Sequence, residues 1–135
     1  MNTEKKKKAP SIDAWLEEAK AAPEASQVGM FLVHNGVVRE TPKSMVREGI
    51  DDGTRVTGMM FSYDAAKVDA AVAETLKMAG IFYVKAWLNE GSLEVGDDIM
   101  LVLIGGDIRP NVIDALQRLV TTIKTRCVME IEEKA

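Results

Sequence analysis

The stretch that most constrains this chain runs from Asp98 to Gly106. It holds six consecutive apolar residues, Ile99 to Ile104, and ends in two glycines. A strand of that composition finds no favourable place with one face in water, so the run predicts a central strand covered on both sides. After the loop Asp107 to Asn111, the positions Val112, Ala115, Leu116, Leu119 and Ile123 recur at helical spacing, with Pro110 near the first helical position. The helix carries Arg109 at its start and Lys124, Thr125 and Arg126 in its last turn. At about 1.5 Å per residue, a straight helix separates Arg109 from Lys124 by roughly 22 Å, too far for one small pocket. Either they serve different sites, or two copies of the helix meet.

The remaining segments read as elements packed around that strand. Ser11 is placed to cap a helix whose Ile12, Trp15, Leu16 and Ala19 share a face until Pro23 stops it. Val28 to Val33 predicts a strand, interrupted at His34 to Gly36 and resuming to deliver Arg39 at its end. Thr41 as cap and Pro42 as first helical residue predict a short helix to Glu48, closed by Gly49. Thr54 to Tyr63 suits a strand. Asp64 then caps a helix with a buried stripe of Val68, Ala71, Val72, Leu76 and Ala79, narrowed where Thr75 falls inside it, and ending at Gly80.

Ile81 to Leu88 is a further strand, Asn89 to Gly91 a turn, and Cys127 to Glu132 a last alternating strand. From Thr54 the order is βαββαβ, a split βαβ arrangement, with one more helix and strand before it. The expectation is a single α+β domain over residues 11–135 behind a flexible basic tail, residues 1–10, that contains Lys5 to Lys8.

Charge and cysteine usage narrow the function. A net charge of -4 and a pI near 5.1 argue against a nucleic-acid binder, so any bound anion needs a local basic pocket. One cysteine and one histidine leave no disulfide framework and no zinc site, and no metal or cofactor is expected. Without a signal-peptide h-region or a membrane-length apolar run, the expected location is cytoplasmic.

Several residues can carry chemistry, each beside a plainer role. Gly105 and Gly106 precede a helix, as a phosphate cradle would, but lack the spacing of a nucleotide loop and are better read as a tight turn. Lys124 borders the apolar stripe, as a snorkelling surface lysine also does. Arg39 and Arg109 have the fork geometry that suits phosphate, and surface ion pairs would use it equally. His34 reads as a strand residue at an edge, and the eight methionines as core filler.

Taken in order, these segments resemble the large, catalytic subunit of molybdopterin synthase. Val28 to Arg39 (VGMFLVHNGVVR) is similar to that family's G-x-x-x-x-F-x-G-x-V-R, and Glu90 to Ile99 to its I-G-x-L-x-x-G-(D/E) turn and strand. Tyr63 followed by a helix, and Arg109 followed fifteen residues later by Lys124-Thr125-Arg126, complete the match over roughly residues 28–131. The chain departs from the pattern at His34, where the family has phenylalanine, and at Ile108, where it has histidine. It departs again at Ile131, near the family's second lysine, in an acidic segment.

The resemblance implies an α/β-hammerhead fold and a central homodimer, with no cofactor. A small ubiquitin-like sulfur carrier would insert its thiocarboxylated Gly-Gly tail into each large subunit, making a heterotetramer. Sulfur would pass to cyclic pyranopterin monophosphate, an anionic pterin, to form molybdopterin. By resemblance Lys124 is the catalytic lysine, and Arg39 and Arg109 bind substrate; given a two-fold dimer, the separation along the helix predicts that Arg109 reaches the Lys124 site of the partner chain. The alternative is a non-catalytic dimeric homologue that binds a pterin or a carrier protein in a regulatory or scaffolding role; the retained Lys124 favours the enzyme, and the missing second lysine favours the other.

Overall fold

The structure is a computed structural model and describes residues 6–135. Its elements are α1 (Ile12–Lys20), a 3-10 turn (Pro23–Gln27), β1 (Met30–Val37), α2 (Lys43–Glu48), β2 (Val56–Tyr63) and α3 (Ala65–Leu76). There follow β3 (Ile81–Leu88), β4 (Gly91–Glu94), β5 (Asp98–Gly106), α4 (Arg109–Thr122), a π-helical turn (Ile123–Cys127) and β6 (Val128–Lys134). The strands form two antiparallel three-stranded sheets, β1-β5-β3 and β4-β2-β6. From β2 the order is therefore βαβββαβ, the expected βαββαβ with β4 inserted, and its strands are divided between the two sheets in a mixed α+β fold.

β5 is central and covered on both faces, as its composition requires. Met100, Val102 and Ile104 join the main core with Val112, Ala115, Leu119 and Ile123 of α4 and its continuation. The alternate residues Leu101 and Leu103 pack on Trp15 and Ala19 of α1. The alternation of side chains along a strand thus sorts one apolar run into two layers. Gly105 and Gly106 lie inside β5, and neither has positive φ. A Cβ on Gly105 would press into the Phe31 ring, and one on Gly106 into Gly80 O and Val112. Close packing is what these glycines allow.

Several expectations need correction. β1 runs without a break through His34, which pairs with Val102, and its irregularity falls at Gly36/Val37. The cap of α2 is Pro42 rather than Thr41, with no side-chain hydrogen bond; Gly49 closes it at φ 73°. α3 stops at Leu76, which is 46% exposed, and Ala79 is exposed as well. Thr75 faces the core in their place, its Oγ1 donating to Ala71 O at 2.8 Å. Helical spacing from Val68 and Ala71 leads to position 75, and a hydroxyl that bonds the preceding turn can be buried there. β4 was not anticipated, nor was the π turn in the segment read as the end of α4.

Of the basic tail expected over residues 1–10, residues 1–5 lie outside the described residues. Lys6 pairs with Asp97 at 2.6 Å. Lys7 exchanges hydrogen bonds with Asn89, its N donating to Oδ1 at 2.7 Å and its O accepting from Nδ2 at 3.1 Å. Its ammonium lies over the rings of Tyr63 and Trp87. Among the described residues no helix is long and apolar enough to cross a membrane.

Candidate functional site

Two of the three residues singled out by sequence, Arg39 and Lys124, line one cavity of about 240 Å³. Its polar wall also includes His34 of β1, Lys43 of α2, and Glu130 and Glu132 of β6. The local folding of each element explains the convergence. β1 ends at Val37, and the backbone hydrogen bond from Val38 N to Asp97 O holds the chain as it turns, so Arg39 emerges at the sheet margin. In the π turn, Ile123 and Cys127 are both buried and the residues between them, Lys124, Thr125 and Arg126, are exposed. A wide turn of this kind changes the direction of side chains relative to a regular helix, and such turns recur at functional sites.

The carboxylates come from an inverted alternation on β6. Glu130 and Glu132 are half-buried, whereas Met129 and Ile131 are 63% and 56% exposed. Glu130 Oε2 pairs with Lys43 Nζ at 2.5 Å, and Glu132 Oε2 accepts from Lys43 N at 3.2 Å, which ties α2 to β6. Arg39 Nε donates to Thr41 O at 3.1 Å. Among the described residues neither Arg39 nor Lys124 is ion-paired. The cavity therefore gathers three cations and two carboxylates, and of its cations only Lys43 is ion-paired among the described residues.

His34 contributes differently. Its Nε2 is buried and has no hydrogen-bond partner among the described residues. Burial first, and the Lys124 charge second, hold its pKa below the usual histidine value, so the imidazole is neutral near pH 7. A confined space with a neutral imidazole and unpaired basic side chains suits an anionic ligand that also carries hydrogen-bonding groups.

Arg109 does not line this cavity. It is exposed at the first position of α4, at the other end of the helix from Lys124. The roles of His34, Lys43, Glu130 and Glu132 were missed by sequence reading. The one available signal was the pair of acids two residues apart on a strand, which places both on one face.

A larger open groove, about 840 Å³, lies between α3 and α4. Lys67, Arg118 and Arg126 line it together with Glu74, and it contains no unpartnered buried polar atom. Cys127 also borders it, its thiol pKa raised chiefly by burial. The smaller cavity has the more specific chemistry.

Comparisons with known proteins agree with this architecture. The MoaE protein family model matches residues 7–126. Among solved structures, molybdopterin synthase from Staphylococcus aureus superposes with a TM-score of 0.72 at 17% identity, covering 93% of this chain and 86% of that one. The molybdopterin biosynthesis MoaE protein from Burkholderia ambifaria gives 0.68 at 17% identity, covering 95% and 85%. A chain from the complex of subunits 1 and 2 of the molybdopterin-converting factor from Helicobacter pylori gives 0.63 at 19% identity, covering 90% and 74%. At these identities the likeness is one of fold. No curated protein matches the sequence.

Proposed function

The chain belongs to the MoaE protein family, and on that premise we propose that it acts in molybdopterin biosynthesis as the large subunit of a molybdopterin synthase. In this reading it is a cytoplasmic homodimer. Each subunit receives the thiocarboxylated Gly-Gly tail of a small ubiquitin-like carrier and directs its sulfur to cyclic pyranopterin monophosphate. The observation that carries the reading is the meeting of Lys124 and Arg39 in one cavity, with neither side chain ion-paired among the described residues.

The chemistry fits these groups. The thiocarboxylate sulfur would displace an oxygen substituent from a carbon of the pterin side chain to give a thioester. Water would then add to the carrier's acyl carbon and the acyl C–S bond would break, leaving the sulfur on the pterin as a thiolate and the carrier as a carboxylate. That addition creates a tetrahedral oxyanion, which the Lys124 ammonium would stabilise more than it stabilises the neutral acyl group. Arg39 would hold the substrate's phosphate, for which a planar guanidinium is well suited. Arg109, distant from its own Lys124 along α4, would complete the pocket of the partner chain.

The test is to supply the thiocarboxylated carrier and cyclic pyranopterin monophosphate and to measure dithiolene formation. The native chain is expected to turn over, Lys124→Ala to lose about 100-fold or more in kcat, and Arg39→Ala to raise KM. A native chain that is inert with its own carrier would overturn the enzyme reading and leave a binding homologue.

A further inference from the structure

We propose that His34 is a substrate-contacting residue of the Lys124 cavity, its Nε2 hydrogen-bonding a phosphate oxygen of the bound anion. The inference deepens the proposed function and rests on that reading of the cavity.

Three observations meet at this side chain. Nε2 is buried and unpartnered among the described residues, whereas buried polar atoms are nearly always hydrogen-bonded, so its partner is expected to come from outside them. The imidazole also lines the cavity that contains Lys124 and Arg39, so a ligand held by those cations is within its surroundings. Finally, Gly36 lines the same cavity, and a Cβ there would stand 3.5 Å from Nε2, so the glycine keeps that side of the ring free of a further side chain.

The charges facing the ring set its protonation. They are Arg39 beyond the end of β1, Lys43 of α2, Lys124 of the π turn, and Glu130 and Glu132 of β6; the neighbouring β5 offers Met100, which does not titrate. With Glu130 occupied by Lys43, the imidazole stays neutral and can present Nε2–H as a donor without adding a further charge to an already cationic pocket. A bound phosphate would accept that hydrogen bond and reverse the local field, making protonation easier.

His34 is the sole histidine of the chain, so its Cε1 proton is a unique NMR reporter. With inorganic phosphate as probe, the native protein is expected to show a His34 pKa that rises as phosphate saturates. His34→Phe is expected to weaken phosphate binding about tenfold, equivalent to about 1.4 kcal/mol. His34→Gln, whose amide can donate from a similar position, should recover most of that loss. Backbone spectra of each variant separate lost binding from lost folding.

If phosphate shifts the amides around Lys124 and Arg39 but leaves the His34 titration and the His34→Phe affinity unchanged, the His34 proposal is overturned and the cavity reading survives. If phosphate shifts no cavity residue in the native chain, both fall. Because the probe needs neither carrier nor pterin, the result is independent of whether sulfur transfer is observed.

Discussion

Lys43 Nζ stands 2.5 Å from Glu130 Oε2, joining the first turn of α2 to β6 at the wall of the cavity. The carboxylate side chain is 7% exposed and the lysine side chain 36% exposed, so the pair lies between a surface ion pair and a buried one. Removing either partner leaves the other under-compensated. Glu130→Gln is expected to lower stability by about 1–2 kcal/mol, more than an exposed pair and less than a fully buried one. Lys43→Met with Glu130→Leu should recover part of that, since neither charge then remains. Urea unfolding of Lys43→Met, Glu130→Leu and the double variant measures the coupling, and additive losses would show that the pair does not act as a unit.

Gly80 offers a sharper stability test. Its φ is 79°, and an added Cβ would collide with Asp107 Oδ1 and Asn111 Nδ2. Those atoms belong to a local network in which Asp107 Oδ1 accepts from Ile108 N and Asn111 Nδ2 at the start of α4. Gly80→Ala is therefore expected to lose about 2–4 kcal/mol, from left-handed strain of about 1–2 kcal/mol and the displaced network. Gly49→Ala is the control: φ is 73°, but nothing lies within 4 Å of the added Cβ. It should lose only the backbone part, about 1 kcal/mol. Equal losses in urea unfolding would mean the Asp107 network contributes nothing.

These contrasts show what was legible in the sequence. β5 was readable because burial on both faces leaves an unbroken apolar run, and α4 because its buried face recurs every three or four residues. Thr75 was placed in the α3 stripe by spacing alone, and what permits its burial is the bond from its hydroxyl to Ala71 O, which hydropathy does not register. β6 kept its alternation but inverted it, turning Glu130 and Glu132 inward, since the space they face is a charged cavity rather than apolar core. Lys43 was not legible at all: its role depends on α2 folding against β6, a contact across 87 residues of sequence (130 − 43).

The burial of His34 carries a pH signature. Its folded pKa lies below the ordinary value of about 6.5, because burial and then Lys124 oppose protonation. Below that value the unfolded chain binds a proton that the folded chain resists, so stability falls as pH drops from about 6.5 toward the folded pKa and then levels off. Above about 6.5 the group contributes no slope. Asp97 and Asp107, whose pKa values are lowered, remove stability only at more acid pH. His34→Phe should therefore flatten the pH dependence of the unfolding midpoint just below about pH 6.5 while leaving the acid limb intact. An unchanged slope in that window would show that the folded pKa is not depressed.

Cys127 tests the packing of the π turn. Its residue is 4% exposed, its Sγ lies 3.7 Å from Thr122 O, and burial raises its thiol pKa. Both effects reduce the reactive thiolate. In the native protein a disulfide reagent at pH 7.5 is expected to react at least about 100-fold more slowly than in denaturant. Comparable rates would mean that the segment carrying Lys124 opens readily.

The separation of Arg109 from Lys124 can be turned into a test of the composite site. α4 places Arg109 at its first residue, and Lys124 follows its last turn. If one active site takes Lys124 from one chain and Arg109 from its partner, Arg109→Ala and Lys124→Ala homodimers are each inactive. A heterodimer of the two variants, however, contains one site with both defects and one with neither. Random reassociation makes half of the dimers mixed, so an equal mixture should regain about a quarter of native dithiolene formation. If both residues instead serve a site within a single chain, every site in the mixture carries a defect and no activity returns. Recovery thus depends on where Arg109 acts, and a mixture whose heterodimers are verified by differential tagging yet stay inactive would overturn the shared site.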